Sequence, residues 1–198
     1  MNHVCGRNSA VVVVSPYARS ATKRLLDVVG VLLVAAPAMA VMALVAAAVL
    51  VADGWPVVLV QRRVGKGGCV FGMPKFRTMR SDPVSGEPQP TRLGAFLRCH
   101  RLDELPQLFT VLTGRMSLVG PRPELVEIVS EYRRGHRRRL RVRPGLTGLW
   151  QLRASRRLRI HQAMGYDLHY IRHATLGLDL KILAMTVPFL IAPGEAQV

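Results

Sequence analysis

Two adjacent acids, Asp103 and Glu104, stand out in a chain that carries 28 Lys and Arg against 12 Asp and Glu. They lie between Arg98, Arg101 and Arg115 and open a segment with helical apolar spacing (Leu105, Leu108, Phe109, Leu112), with Pro106 in its first turn. A carboxylate kept ionised by a helix N-terminus and nearby guanidinium groups can serve as a nucleophile or a metal ligand. The same pair also suits a structural task, since Asp caps helices and first-turn acids complement the helix dipole. Arg122 sits between Pro121 and Pro123. Its stiff backbone aims the planar fork in advance, as phosphate recognition needs and as a rigid solvated loop would also allow. Lys75 and Arg77 alternate onto one face at the end of a β-prone run, placed to clasp a phosphate or to stay solvated. Seven arginines crowd Arg133 to Arg143, and Arg133, Arg137 and Arg141 would share one helical face. That face reads as one turned toward anionic lipid.

Positioning these groups falls first to the stretch from Leu25 to Ala52, whose only charge is Asp27. It exceeds the roughly 20 apolar residues that a spanning helix needs. Both flanks are basic: Lys23 and Arg24 precede it, and Arg62, Arg63, Lys66 and Lys75 follow. A simple span would send one basic flank outside, against the tendency of Lys and Arg to remain cytoplasmic. Pro37 removes a backbone donor near the middle. A re-entrant helix that turns at Ala36-Pro37 and returns to the same face meets both observations, and a kinked ordinary span is the alternative. A cleaved signal peptide ending at Ala38-Met39-Ala40 fits less well, because the apolar run continues through Val41 to Val51.

The chain then divides into a weakly ordered leader (1–22), the membrane helix broken near Pro37 (23–53) and a catalytic domain lying on the membrane surface (54–198). Val57 to Gln61 and Cys69 to Phe76 predict a β-hairpin around Gly65, Gly67 and Gly68. Ser81 to Pro90 and Thr113 to Pro123 read as loops. Thr91 to Cys99 and Asp103 to Leu112 read as helices, and another runs from Glu124 into the arginine-dense stretch. Leu176 to Ile191 predicts an apolar or amphipathic helix. A net charge of +16 seeks anions. With only 6% aromatic residues and no stacking signature beside the basic runs, nucleic acid is not the expected partner. Cys5, Cys69 and Cys99 have neither disulfide-framework nor zinc spacing.

Taken together, five motifs resemble the bacterial sugar transferases, the monotopic polyprenyl-phosphate phosphoglycosyl transferases. They are Lys23-Arg24-Leu25-Leu26-Asp27, Lys75-Phe76-Arg77-Thr78-Met79, Leu102-Asp103-Glu104-Leu105-Pro106-Gln107, Met116-Ser117-Leu118-Val119-Gly120-Pro121-Arg122-Pro123-Glu124 and Arg143-Pro144-Gly145-Leu146-Thr147-Gly148. The likeness covers roughly residues 22 to 192. It implies an α+β, mostly helical fold, with an N-terminal re-entrant membrane helix hairpin, a small β-hairpin and amphipathic interfacial helices around a cytoplasmic catalytic core. It further implies that Asp103 attacks the sugar-proximal phosphate of a UDP-sugar, releasing UMP, and that the phosphosugar then passes to a polyprenyl phosphate. Magnesium would be held by Glu104 beside Asp103. Lys75, Arg77, Arg98, Arg122, Arg143 and Asp167 are the expected substrate-binding residues. The bacterial inner membrane, with the catalytic domain on its cytoplasmic face, is the implied location, and a homodimer is compatible with it.

The chain departs from the family pattern at Gly114-Arg115-Met116-Ser117, where Asp usually follows the Gly and Arg115 adds positive charge near the acidic pair. It departs again at Arg153-Ala154-Ser155-Arg156-Arg157, at Gly165 and at Met73-Pro74. These changes bear on sugar recognition more than on the chemistry. An inactive membrane scaffold of the same fold is the competing reading.

Overall fold

The computed structural model describes residues 14–81, 86–153 and 164–191. Its longest element is α1 (Ala21–Asp53), begun where the Ser20 side chain accepts from the Lys23 amide and ended at Gly54, whose φ of +75° is open to glycine. By length and composition α1 is the one helix among the described residues apolar enough to cross a membrane. Pro37 lies inside it, and the helix continues on both sides. The expected break is therefore a proline within one helix, since the loss of a single backbone donor leaves the apolar turns around it intact. Val31, Ala38, Met42, Val45 and Val49 form a buried stripe, whereas Leu25, Leu32, Leu33, Leu44 and Val51 are exposed. A helix apolar all round but buried along one stripe presents its other face to an apolar solvent.

The hairpin forms as expected and runs further than predicted. Strands β1 (Val58–Val64) and β2 (Val70–Phe76) pair antiparallel from Val58 opposite Phe76 to Val64 opposite Val70. Phe71 and Met73 point into the core on the same side as Lys75. Short strands β3 (Met79–Ser81) and β4 (Pro88–Pro90) follow, then α2 (Arg92–Cys99). Asp103 and Glu104 do not open the next α-helix. They occupy a 3-10 turn, Leu102–Glu104, and Pro106 caps α3 (Gln107–Leu112).

The segment read as a loop after α3 contains β5 (Ser117–Val119). Glu124, expected to start a helix, instead lies in β6 (Glu124–Leu125), which pairs with the end of β1. Only α4 (Val126–Ser130) is helical there, and the arginine run is a 3-10 segment, His136–Arg141. At three residues per turn Arg137 and Arg141 no longer share a face, and Arg133 lies before the segment. Strand β7 (Gly145–Thr147) then lies parallel to β5. The chain continues through α5 (Leu149–Arg153), α6 (Met164–His173) and α7 (Leu176–Ile191). Residues 1–13 of the expected leader, and 154–157 of the departing arginine segment, lie outside the described residues. Residues 14–22 make defined contacts with the core. The Ser15 amide donates to Ile171 O at 2.9 Å and its hydroxyl to Ala174 O at 2.6 Å.

A polar cluster inside the apolar core joins α1 to the rest. Lys23, 4% exposed, reaches Asp27 at 3.0 Å and Asp179 of α7 at 2.8 Å. Asp27 Oδ1 also accepts from the Ser117 hydroxyl at 2.8 Å and the Leu118 amide at 3.0 Å. Tyr17 and Tyr170 donate to Asp179 at 3.0 and 2.7 Å. The other tethers lie at the two ends of α1. Arg24 donates to the carbonyls of Val111 and Leu112, which close α3. Arg77 donates to the Asp53, Gly54 and Trp55 carbonyls, and Thr91 to the Asp53 carboxylate at 3.1 Å. Both ends of α1 are thus fastened to one core. Removing one partner from a buried ion network leaves the others uncompensated, so Asp27→Ala is expected to cost about 3–5 kcal/mol. Thermal unfolding of the purified protein in nanodiscs checks this, with Asp27→Asn expected to be milder.

Candidate active site

The acidic turn is positioned by a strained residue. Arg101, the one non-glycine with positive φ (56°) among the described residues, reverses the chain between α2 and Leu102–Glu104. Asp103 is thereby turned inward, 6% exposed. From β2, Lys75 Nζ lies 3.1 Å from Glu104 Oε1 and 3.9 Å from Asp103 Oδ2. From the opposite side Arg122 Nη2 reaches the same Glu104 oxygen at 3.2 Å. Of the residues expected to bind substrate, Lys75 and Arg122 meet at the acidic pair, and the charge of Arg98 also acts on Asp103.

The other three are elsewhere. Arg77 closes the C-terminal end of α1, where unsatisfied carbonyls attract a cation. Arg143 donates from Nε to Gly114 O at 2.8 Å, fixing the turn before β5. Asp167, 2% exposed, is ion-paired with Arg139 at 2.5 Å. Arg139 itself, 3% exposed, is buried, unlike the lipid-facing arginines expected of that run. Arg115 is exposed, and the cations that act most strongly on the acids are Lys75, Arg98, Arg101 and Arg122. Arg101, named in the sequence beside the acids but not among the expected substrate-binding residues, acts electrostatically on Glu104.

The two carboxyls are driven apart in character. Burial, reinforced by the neighbouring Glu104 charge, pushes Asp103 up to about 6 from an ordinary 3.8, against the pull of Lys75, Arg98 and Arg122. Burial acts on Glu104 as well, but Arg122, Lys75 and Arg101 overcome it and hold that group down at about 2. Glu104 is thus a fixed anion. Asp103 is a more basic carboxylate that is mostly ionised at neutral pH. Adjacent acids separated in this way take different roles in a reaction. Among the described residues no three His, Cys, Asp or Glu gather as a metal-binding group. A divalent cation at this turn would therefore draw two carboxylates from the protein and its remaining oxygens from phosphate and water, a donor set that suits magnesium.

Arg122 is mounted on backbone packed against backbone. The Gly120 amide donates to Thr147 O at 2.9 Å and the Gly145 amide to Pro121 O at 2.8 Å. A Cβ on Gly145 would come within 2.1 Å of the Gly120 nitrogen, so the two motif loops meet only because both residues are glycine.

A sequence profile described as Bacterial sugar transferase matches residues 18–193. The chain is 37% identical over 190 residues to a UDP-glucose:undecaprenyl-phosphate glucose-1-phosphate transferase of Caulobacter vibrioides, covering 88% of this chain and 71% of that one. It is 34% identical over 190 residues to the exopolysaccharide production protein ExoY of Sinorhizobium fredii, covering 84% of each. To the galactosyl transferase CpsE of Streptococcus agalactiae it is 35% identical over 155 residues, 68% of this chain but 34% of that protein. The chain thus spans about a third of the length of the CpsE relative.

Because the Asp103 carboxyl titrates higher in the fold than in the unfolded chain, its ionisation weakens the fold as pH rises from 3.8 through about 6. Asp103→Asn is expected to stabilise the protein above pH 6 by on the order of 2–3 kcal/mol and to have little effect near pH 4. Denaturant unfolding of both proteins across that range checks the sign.

Proposed function

The chain belongs to the bacterial sugar transferase family, and on that premise we propose that it is a polyprenyl-phosphate phosphoglycosyl transferase. It moves a sugar-1-phosphate from a UDP-sugar to undecaprenyl phosphate, the first membrane step of a surface glycan such as an exopolysaccharide. The observation that carries this reading is Asp103, a buried carboxylate of raised basicity beside Glu104, with Lys75 and Arg122 converging on the pair. Asp103 attacks the sugar-proximal phosphorus, an Asp–phosphate bond forms as the bond to UMP breaks, and UMP leaves. A polyprenyl phosphate oxygen then attacks the same phosphorus, releasing the Asp103 carboxylate and giving a polyprenyl-diphosphate sugar. Such transfer depends on charge neutralisation around the phosphoryl oxygens and an attacking group held in line. Arg122 and Lys75 supply positive charge from the protein. Glu104, beside Asp103, would hold magnesium, which when bound neutralises the diphosphate and aids departure of UMP.

One-sided attachment to the cytoplasmic face of the inner membrane follows the same logic. Supporting it are the two tethered ends of α1, held by Arg24 on α3 and by Arg77 and Thr91 near β2, since one folded body cannot lie on both sides of a bilayer. The exposed apolar face of α1 and the exposed Trp55 just after it suit a helix that enters, bends at Pro37 and returns.

Purified protein given undecaprenyl phosphate, magnesium and a panel of UDP-sugars headed by UDP-glucose is expected to release UMP with at least one of them. Asp103→Asn should abolish this release, and kcat/KM should fall as pH drops below about 6, where the free carboxylate gains a proton. Absence of UMP with every sugar, or undiminished release from Asp103→Asn, would sink the mechanism. Topology has its own check: in intact cells a membrane-impermeant thiol reagent should leave Cys5 unlabelled by mass spectrometry, and labelling from the periplasmic side would mean that α1 crosses the bilayer.

A further inference from the structure

The loop that carries Arg122 has few means of holding itself. Pro121 and Pro123 have no N–H, so its backbone is secured chiefly through its carbonyls. Three successive ones are each taken by a different element. Pro121 O accepts from the Gly145 amide at 2.8 Å, Arg122 O from Arg139 Nη2 at 2.7 Å, and Pro123 O from Arg63 Nη1 at 3.3 Å. Of the two side-chain donors, Arg139 is deeply buried and Arg63 only partly so. Besides Arg122 O, Arg139 donates to Glu124 Oε1 at 2.9 Å and to the Tyr132 hydroxyl at 2.6 Å, and it pairs with Asp167 at 2.5 Å.

We infer that Arg139 is a positioning residue for the transfer reaction, a buried fork that fixes the Arg122 backbone so that the Arg122 side chain meets Glu104 and the substrate diphosphate. Glu124 and Asp167 hold Arg139 in turn. The inference rests on the reading of Arg122 as a diphosphate ligand. A planar guanidinium can satisfy Arg122 O, Glu124, Tyr132 and Asp167 together, whereas a lysine keeps the charge but offers a single nitrogen. Asp167 thereby gains a role at a distance. It was expected to touch substrate, and it reaches the acidic pair only through Arg139 and Arg122. Arg139 is concealed in sequence by the six other arginines between Arg133 and Arg143.

The test is a double-mutant cycle on the full chain in lipid nanodiscs, read by UMP release from whichever panel sugar is turned over. Arg139→Lys is expected to lower kcat about 10²-fold, the loss typical of a small displacement of a catalytic group. In an Arg122→Ala background the same change should cost less than about threefold, because its target is gone. Hydrogen exchange over residues 118–125 supplies a readout that needs no turnover: it should quicken in Arg139→Lys while α1 and β2 are unchanged. Equal losses in both backgrounds, or unaltered exchange in that loop, overturn the proposal. If the wild-type protein turns over no sugar, the transferase reading fails and the exchange measurement alone decides whether Arg139 positions the loop. Should Arg139→Lys not fold, Asp167→Asn replaces it, with about a tenfold loss expected and the same two criteria applied.

Discussion

One buried ammonium, Lys23, holds the membrane element and the catalytic body in a single register. It bridges Asp27 on its own helix and Asp179 on α7, and Asp27 in turn accepts from Ser117 and Leu118 of β5. Charges this deep are tolerated only when nearly every partner is supplied, so the cluster admits one arrangement of α1, β5 and α7 and penalises others. Strand β5 leads directly into the loop that carries Arg122. The anchoring of α1 and the placement of Arg122 beside the acidic pair are therefore consequences of the same few hydrogen bonds.

The acidic turn shows how one environment yields two different carboxylates. Asp103 and Glu104 are adjacent in sequence, the first buried and the second largely so, and removal from water alone would raise both. What separates them is which one the cations reach: Lys75 and Arg122 converge on a single Glu104 oxygen and approach Asp103 less closely. Glu104 absorbs the positive charge and remains an anion. Its own charge then raises Asp103. A carboxylate that is ionised near neutral pH yet more basic than usual suits the nucleophilic role proposed for Asp103, and the fold gives up some stability to maintain it.

Arginine dominates this chain, and its copies do unlike work. Arg24 and Arg77 close helix ends, Arg143 fixes a turn, Arg139 is a buried fork, and Arg122 faces the acidic pair. Several unsatisfied carbonyls and carboxylates in the core are met by guanidinium groups, which suit the task because one planar head can satisfy several acceptors at once. The net charge of +16 is for this reason a poor guide to how much positive surface remains to attract anions.

The parts whose meaning is local could be read from the residues alone. The apolar run of α1, the hairpin of β1 and β2, the helix of Leu176 to Ile191 and the acidic pair beside a proline-flanked arginine were all legible from periodicity, turn residues and motif order. Tertiary structure alone decided which cations meet the acids. Lys75 and Arg122 stand 29 and 18 residues from Glu104, and their convergence depends on the register of β2 and on the contact of Gly120 with Gly145. Arg77, Arg143 and Asp167 were of the right type for the site and lie elsewhere, and Arg139 looked like surface and is buried. The reason is physical: residue type and spacing report on neighbours along the chain, whereas a side chain's partner is set by segments that meet only after the core has closed.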